Sequence, residues 1–218
     1  MSGYQKLKDE LGSCRLIGVS KYQSLKAIRE VYQEGLRDFG ENKVQDLLEK
    51  KTQLPDDIHW HMIGHLQRNK VKYIAPFIYM IHSVDSLDLL KEINRQAEHS
   101  QRTIPVLLQM HLAQEESKFG LHRTQLIEIM EYYTSPGSFL QNIRIQGLMT
   151  MATNTEDRSR IRSEFAQLRN LFQMVKDTYL PHQPDFCELS MGMSSDYHEA
   201  LQEGSTMVRI GSLLFAPY

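Results

Sequence analysis

Lys21 follows the strand-like run Leu16-Ile17-Gly18-Val19-Ser20. An amine just past a buried strand is partly desolvated, which makes its neutral, nucleophilic form easier to reach and suits it to a Schiff base with an aldehyde. Far along the chain, Gly204-Ser205-Thr206-Met207-Val208-Arg209-Ile210-Gly211-Ser212 sets an arginine, a glycine and a hydroxyl together. Gly211 lets backbone approach a ligand closely and Ser212 adds a donor, the makings of a phosphate cradle. Ser190 to Ser195, with Gly192 among them, offers more hydroxyls of the same use. Each stretch has a plainer reading: Lys21 as the first solvated residue after a strand, and the serine–glycine stretches as ordinary turns.

These groups act together only if one fold brings them together. Short apolar runs alternate with segments whose apolar residues lie three and four apart, the pattern of βα units and a parallel sheet. A helix over residues 4–11 precedes a first strand, 15–19. A helix then starts near Ser24, as N-cap, and stops at Gly35. The pattern predicts further strands at 37–39, 59–63, 80–83, 105–110, 143–148, 186–190 and 207–210. Helices are predicted at 43–54, 69–74, 86–99, 123–133, 157–179 and 195–203. Eight strands in eight such steps predict an α/β chain that is a single (β/α)8 barrel of the TIM type with an extra N-terminal helix, one domain over 1–218; an open doubly wound sheet is the alternative. In a barrel the strand ends converge on one mouth, where sites lie. Lys21, Asn42, Ile63, Gly64, Ser83, Met149, Thr150, Ser190 and residues 209–212 would meet there.

Composition excludes several classes. With 41% hydrophobic and 24% charged residues the chain reads as an ordinary globular protein, and no apolar run approaches the roughly 20 residues that span a bilayer. The net charge of −2, without a basic stripe, argues against a nucleic-acid partner. Two cysteines far apart, Cys14 and Cys187, form neither a disulfide framework nor a zinc site and are expected to be buried thiols. The polar start has no signal-peptide core, so a cytoplasmic location is expected.

A Schiff-base lysine facing an anion clamp is what pyridoxal 5'-phosphate requires. The motifs Val19-Ser20-Lys21, Phe39-Gly40-Glu41-Asn42, His59-Trp60-His61-Met62-Ile63-Gly64 with Leu66-Gln67-Arg68-Asn69-Lys70, Lys118-Phe119-Gly120, Ser190-Met191-Gly192-Met193-Ser194 and residues 204–211 occur in order. In these the chain resembles the pyridoxal phosphate homeostasis protein family, single-domain barrels similar to the N-terminal domain of bacterial alanine racemase. The resemblance implies that Lys21 carries the cofactor as a Schiff base. It implies too that Ser190, Gly211 and Ser212 hold the phosphate, that Arg209 faces the pyridine nitrogen, and that Asn42 lies near the ring. Beyond pyridoxal phosphate itself, apo-forms of enzymes that use it are the partners it suggests, with the protein a monomer or weak dimer. The family pattern has a glycine after Phe215 and a longer polar tail; here the chain reads Phe215-Ala216-Pro217-Tyr218.

The arginine can be argued on its own chemistry. A guanidinium does not give up its proton, so a pyridine nitrogen opposite it stays unprotonated and the ring is a weak electron sink. That suits a carrier better than a catalyst. An amino-acid racemase would need a second acid/base on the opposite ring face, which in the racemase comes from a further C-terminal domain, not expected here. A sugar-phosphate aldolase would need carboxylates at strand ends, for which only Glu41 and Glu188 are placed. His59 and His61 share a strand face without an evident third metal ligand, so no metal is expected. Met149, Met151, Met191 and Met193 flank the mouth, and Lys118 is either a surface charge or a residue reaching it.

Overall fold

The computed structural model describes residues 3–113 and 119–216; Lys118, Pro217 and Tyr218 lie outside them. The strands β1 (Arg15–Val19), β2 (Asp38–Glu41), β3 (His59–Met62), β4 (Met80–Val84), β5 (Ile104–Gln109), β6 (Ile143–Met149), β7 (Glu188–Met193) and β8 (Met207–Ile210) are all parallel and close into a barrel in chain order. Closure is the pairing of β1 with β8, in a register from Arg15 opposite Met207 to Gly18 opposite Ile210. An open sheet is thereby ruled out.

Helix α1 (Gly3–Leu11) precedes the barrel, and α2 (Leu25–Gln33) follows β1. Ser24 caps α2, its hydroxyl accepting from the Ala27 amide, and Gly35 leaves it at φ +113°, a conformation that glycine tolerates without cost. Next come α3 (Val44–Lys51), a 3-10 turn (Arg68–Lys70) leading into α4 (Val71–Ile74), α5 (Leu87–His99), α6 (Arg123–Thr134), α7 (Arg158–Thr178) and α8 (Tyr197–Gln202). After β8 the chain makes a turn in which the amides of Leu214 and Phe215 donate to the Gly211 carbonyl. Seven helices thus follow strands, and the eighth predicted step ends in that turn within the described residues. The helix α1 packs beside β1 and is tied to α8 by Tyr197 Oη donating to Glu10 at 2.7 Å.

Residues of one parity on each strand face the helices and form the main core, with Phe39, Trp60, Ile81, Val106, Ile145, Leu189 and Val208 among them. The other parity fills the barrel. Met80, Leu107, Met149 and Met207 form a separate apolar plug. A parallel sheet covered on its outside and packed on its inside needs apolar residues on both faces, so its strands read as continuous runs rather than alternating ones.

The largest departure from the sequence reading is β7, which begins at Glu188 and runs to Met193 rather than spanning 186–190. Phe186 instead belongs to the loop, stacked on Phe172 at 4.7 Å between ring centroids. Cys187 therefore precedes the strand and is exposed, and Cys14 is only half-buried, correcting the expectation of two buried thiols. Burial raises the Cys14 thiol to about 11. Among the described residues no helix is long and apolar enough to cross a membrane, and no cluster of His, Cys, Asp and Glu could hold a metal ion.

Strand β6 meets β7 with Gly147 opposite Glu188. A Cβ on Gly147 would lie 1.8 Å from the Glu188 carbonyl oxygen, a backbone atom that cannot rotate away. Gly147→Ala is expected to destabilise the barrel by about 3 kcal/mol or more, the upper end of overpacking costs, as read from urea unfolding midpoints.

Candidate functional site

At the C-terminal ends of the strands a cavity of about 560 Å3 opens, within the roughly 300–1,000 Å3 usual for small-molecule sites. Lys21, Asn42, Arg209, Gly211 and Ser212 all line it.

The turn carrying Lys21 is held from below. The Gln23 amide donates to the Ser20 carbonyl at 3.0 Å, closing a tight turn in which Tyr22 takes φ +64°. An aromatic residue pays a steric cost in that left-handed region, so the turn must be imposed by its surroundings. Lys50 of α3 supplies the restraint: its Nζ donates to the Ser20 carbonyl at 2.7 Å and to Glu41 Oε1 at 2.6 Å. The Ser20 hydroxyl donates to the same Glu41 oxygen at 2.6 Å. Glu41 is wholly buried. It therefore serves as an anchor behind the strand, not as a carboxylate in the mouth. Lys21 itself is exposed in the open mouth, so the partial desolvation suggested by its place after a strand is not found in this state. It has no hydrogen-bond or ion-pair partner among the described residues.

Arg209 is the opposite case, only 4% exposed with its head inside the barrel. Its Nη1 donates to Ser190 Oγ at 2.7 Å and its Nη2 to the Thr150 carbonyl at 2.8 Å. Burial lowers its pKa to about 10, partly countered by the Asp196 carboxylate, so it stays charged at neutral pH. Below it runs a file of polar side chains. Ser190 Oγ lies 3.0 Å from His82 Nδ1, His82 Nε2 lies 2.9 Å from His61 Nδ1, and His61 Nε2 lies 3.0 Å from Asp38 Oδ1. His59 Nδ1 approaches the same Asp38 oxygen at 3.3 Å.

The wall adjoining β1 is built by the loops after β7 and β8. Gly211 packs its backbone against β1, where an added Cβ would lie 3.2 Å from the Val19 carbonyl oxygen. Ser194 and Ser195 line the wall beside Ser212. The buried Asp196 carboxylate shapes this loop by accepting from the Met193 amide at 2.5 Å. Met151, Met193 and Ile63 give apolar walls. On the β5 side, Phe119 stacks on His65 at 3.9 Å between centroids, and His65 Nδ1 is 3.0 Å from Asp85 Oδ2. Gly64 brings the β3 and β2 loops together, since any Cβ there would fall 2.4 Å from the Asn42 carbonyl oxygen.

Of the six site residues predicted from sequence, five share the cavity and Ser190 does not. The shift of β7 moves Ser190 from the strand's end to its middle, where it is wholly buried and engaged by Arg209 and His82. Ser194 and Ser195 occupy the rim in its stead. Ser83 likewise lies inside β4, buried away from the mouth. Glu188 sits at the start of β7, at the opposite end of the barrel, near Arg15 at 3.5 Å. With Glu41 turned outward, neither carboxylate named for an aldolase reaches the cavity. Met151 and Met193 line the mouth, whereas Met149 fills the barrel and Met191 packs under the helices. Sequence reasoning missed His82 altogether. Its only signal was a histidine in the mostly apolar strand Met80–Val84, one strand from His61.

The donors fit pyridoxal phosphate: a free amine for the aldehyde, a fixed guanidinium, hydroxyls and a close backbone at the other end, and apolar walls for a ring. A barrel of this kind with a lysine after its first strand and an anion-suited rim after its last belongs to a known class. Residues 3–218 match the family described as the alanine racemase N-terminal domain. An alanine racemase from Bartonella henselae shares the fold with a TM-score of 0.73 at 18% identity, over 97% of this chain and 56% of that one. Within that class the chain belongs to the pyridoxal phosphate homeostasis protein family. It is 40% identical to the family's protein from Aquifex aeolicus over 92% of this chain and 86% of that one, and 38% identical to that from Homo sapiens over 92% and 75%. PipY of Synechococcus elongatus, solved with PLP bound, superposes with a TM-score of 0.88 at 35% identity, each chain covered over 98%.

Burial holds both His61 and His82 below the ordinary histidine value of 6.5, outweighing for His61 the attraction of Asp38. The unfolded chain therefore binds protons below pH 6.5 that the folded chain refuses. Stability should be full above that pH and decline as pH falls below it, and in His82→Phe the decline should be shallower. Urea unfolding of both proteins between pH 7.5 and 5 measures it.

Proposed function

We propose that this chain binds pyridoxal 5'-phosphate reversibly and covalently through Lys21 and supplies or buffers the cofactor rather than turning over a substrate. The observation that carries the reading is the meeting of an unpartnered amine, a buried guanidinium and a hydroxyl- and glycine-rich rim in one cavity. When bound, the cofactor supplies an aldehyde for the amine and a ring able to delocalise charge. Lys21 provides the nucleophile, and its turn, braced by Lys50 and Glu41, sets where that amine can reach. Gly211, Ser212, Ser194 and Ser195 would hold the phosphate end, and Asn42, with Met151, Met193 and Ile63 of the same cavity, would line the ring.

Arg209 supports a carrier over a catalyst. It stays charged and donates only, so it would hold a ring nitrogen as an acceptor, without the proton that would strengthen the ring's electron withdrawal. Ser190, beneath it, positions the arginine instead of touching phosphate. The chain, 1–218, is then one binding domain in the cytoplasm, its partners the cofactor and apo-enzymes that accept it, acting as a monomer or weak dimer. PLP bound to PipY supports the cofactor binding, and the name of the relatives from Aquifex aeolicus and Homo sapiens supports the homeostatic role.

One observation favours a second reading, racemase-like activity: His65, oriented by Asp85, lines the same cavity as Lys21 and could move a proton there. The two readings separate by experiment. Purified protein mixed with pyridoxal 5'-phosphate should show a visible absorbance band that borohydride bleaches while fixing the cofactor to Lys21, both absent in Lys21→Ala; an unchanged band in that variant would refute the covalent role. Incubated with L- or D-alanine in deuterium oxide, the loaded protein should incorporate α-deuterium far below the roughly 1–1,000 per second of ordinary enzymes. Exchange at such rates, lost in His65→Ala, would establish the racemase reading.

A further inference from the structure

The file of side chains beneath Arg209 has a property that no single contact shows: its two ends dictate the same direction of hydrogen bonding. A guanidinium can only donate, so Ser190 Oγ accepts from Arg209 and is left with its own proton to give. The acceptor within reach is His82 Nδ1 at 3.0 Å. A neutral imidazole that accepts at Nδ1 carries its proton on Nε2, which then donates to His61 Nδ1 at 2.9 Å. His61 in turn carries its proton on Nε2 and donates to Asp38 at 3.0 Å. From the other end, an ionised carboxylate can only accept, which requires the same proton on His61 Nε2 and, step by step, the same arrangement back to Arg209. A charged imidazole in the file would either set two protons face to face between the histidines or turn a His82 Nδ1–H onto Ser190 Oγ, leaving the serine proton without its acceptor in the file.

The groups around the acidic end agree. His61 and His59 both lie on Asp38, Arg15 is close enough to act on it through space, and the carboxyl is held below its ordinary value despite its burial. His61 and His82 are wholly buried and held neutral. Every polar side chain in the file has a partner, beside the apolar plug of Met80, Leu107, Met149 and Met207.

We propose that Asp38, His61, His82 and Ser190 form a one-way hydrogen-bonded column that fixes the Arg209 guanidinium in place, so that Asp38, at the opposite end of the barrel, is a positioning residue for the cofactor site. The step toward the cofactor rests on the function proposed above; the column itself does not. Four hydrogen bonds separate Asp38 from Arg209, and none of the intermediate side chains lines the cavity. Removing the acceptor at the far end frees His61 to turn over its tautomer, and the disorder passes along the file to the guanidinium.

The column is tested first without cofactor. In 15N-labelled protein at pH 7, His61 and His82 should both appear as neutral Nε2–H tautomers, and the Arg209 Nη groups as separate, slowly rotating signals. Either histidine as the Nδ1–H tautomer or as imidazolium overturns the proposal. In Asp38→Leu the tautomers should mix and the Arg209 signals merge. In Asp38→Asn, whose amide oxygen still accepts, both should persist. Pyridoxal 5'-phosphate affinity should then fall about two- to tenfold in Asp38→Leu, the worth of one hydrogen bond, and change less than twofold in Asp38→Asn. Equal affinities in the two variants would overturn the positioning role. Should Asp38→Leu fail to fold, Ser190→Ala cuts the column next to Arg209 and must merge the same signals. Wild-type protein that shows the NMR signatures and takes up no cofactor would refute the cofactor reading while leaving the column standing.

Discussion

The site depends on the pairing of β1 with β8. Without that last ladder the residues after Val19 and those after Ile210 would sit at the two edges of an open sheet, a barrel's width apart. With it, Gly18 lies opposite Ile210, Gly211 packs on Val19, and the amine of Lys21 shares a cavity with Arg209 and Ser212. Closing this parallel sheet requires all seven crossovers to be in place, so this contact of high sequence separation completes the site last in any folding order that proceeds by local units.

Closure also creates a problem that the interior must solve. A barrel of eight strands has a filled lumen, and a guanidinium projecting into it loses its water. Arg209 meets that cost with a hydroxyl, a carbonyl and, beyond them, two neutral imidazoles ending on a carboxylate. Positive charge near the mouth is thus balanced by negative charge at the other end, with Asp196 adding a nearer carboxylate. An apolar filling would be easier to pack; the polar file holds a charged donor at the cavity's edge. A second buried pair, Glu41 with Lys50, does similar work outside the barrel, bracing the turn of Lys21 from α3. The two groups with the most chemistry are each held by a residue that never enters the cavity.

Much of this was legible in the chain. The alternation of strand-length runs with helical periodicity yields the barrel, since parallel strands covered on both faces must be apolar throughout and their crossovers must be amphipathic. The bounds of β1 and β8 agree to the residue, because Ser20-Lys21 and Gly211-Ser212 end their apolar runs abruptly. Where an apolar residue sits in a loop the reading slipped: Phe186 looks like the start of a strand, but its ring is used against Phe172, and β7 begins two residues later.

That slip shows where sequence stops. Residue types and their order determined the fold class, the amine after the first strand, the glycine and hydroxyl of the rim and the family, because each follows from local preference or from a motif contiguous in the chain. Tertiary structure alone decided that Ser190 supports Arg209 from within the barrel, that Glu41 faces Lys50, and that His82, His61 and Asp38 align beneath the site. A shift of two residues in a strand's start changes which positions reach its end, and a hydrogen bond between residues 108 apart in sequence, such as that joining His82 to Ser190, leaves no trace in either neighbourhood. The physical cause is that side-chain direction in a sheet is set by register, and register is fixed only when the barrel closes.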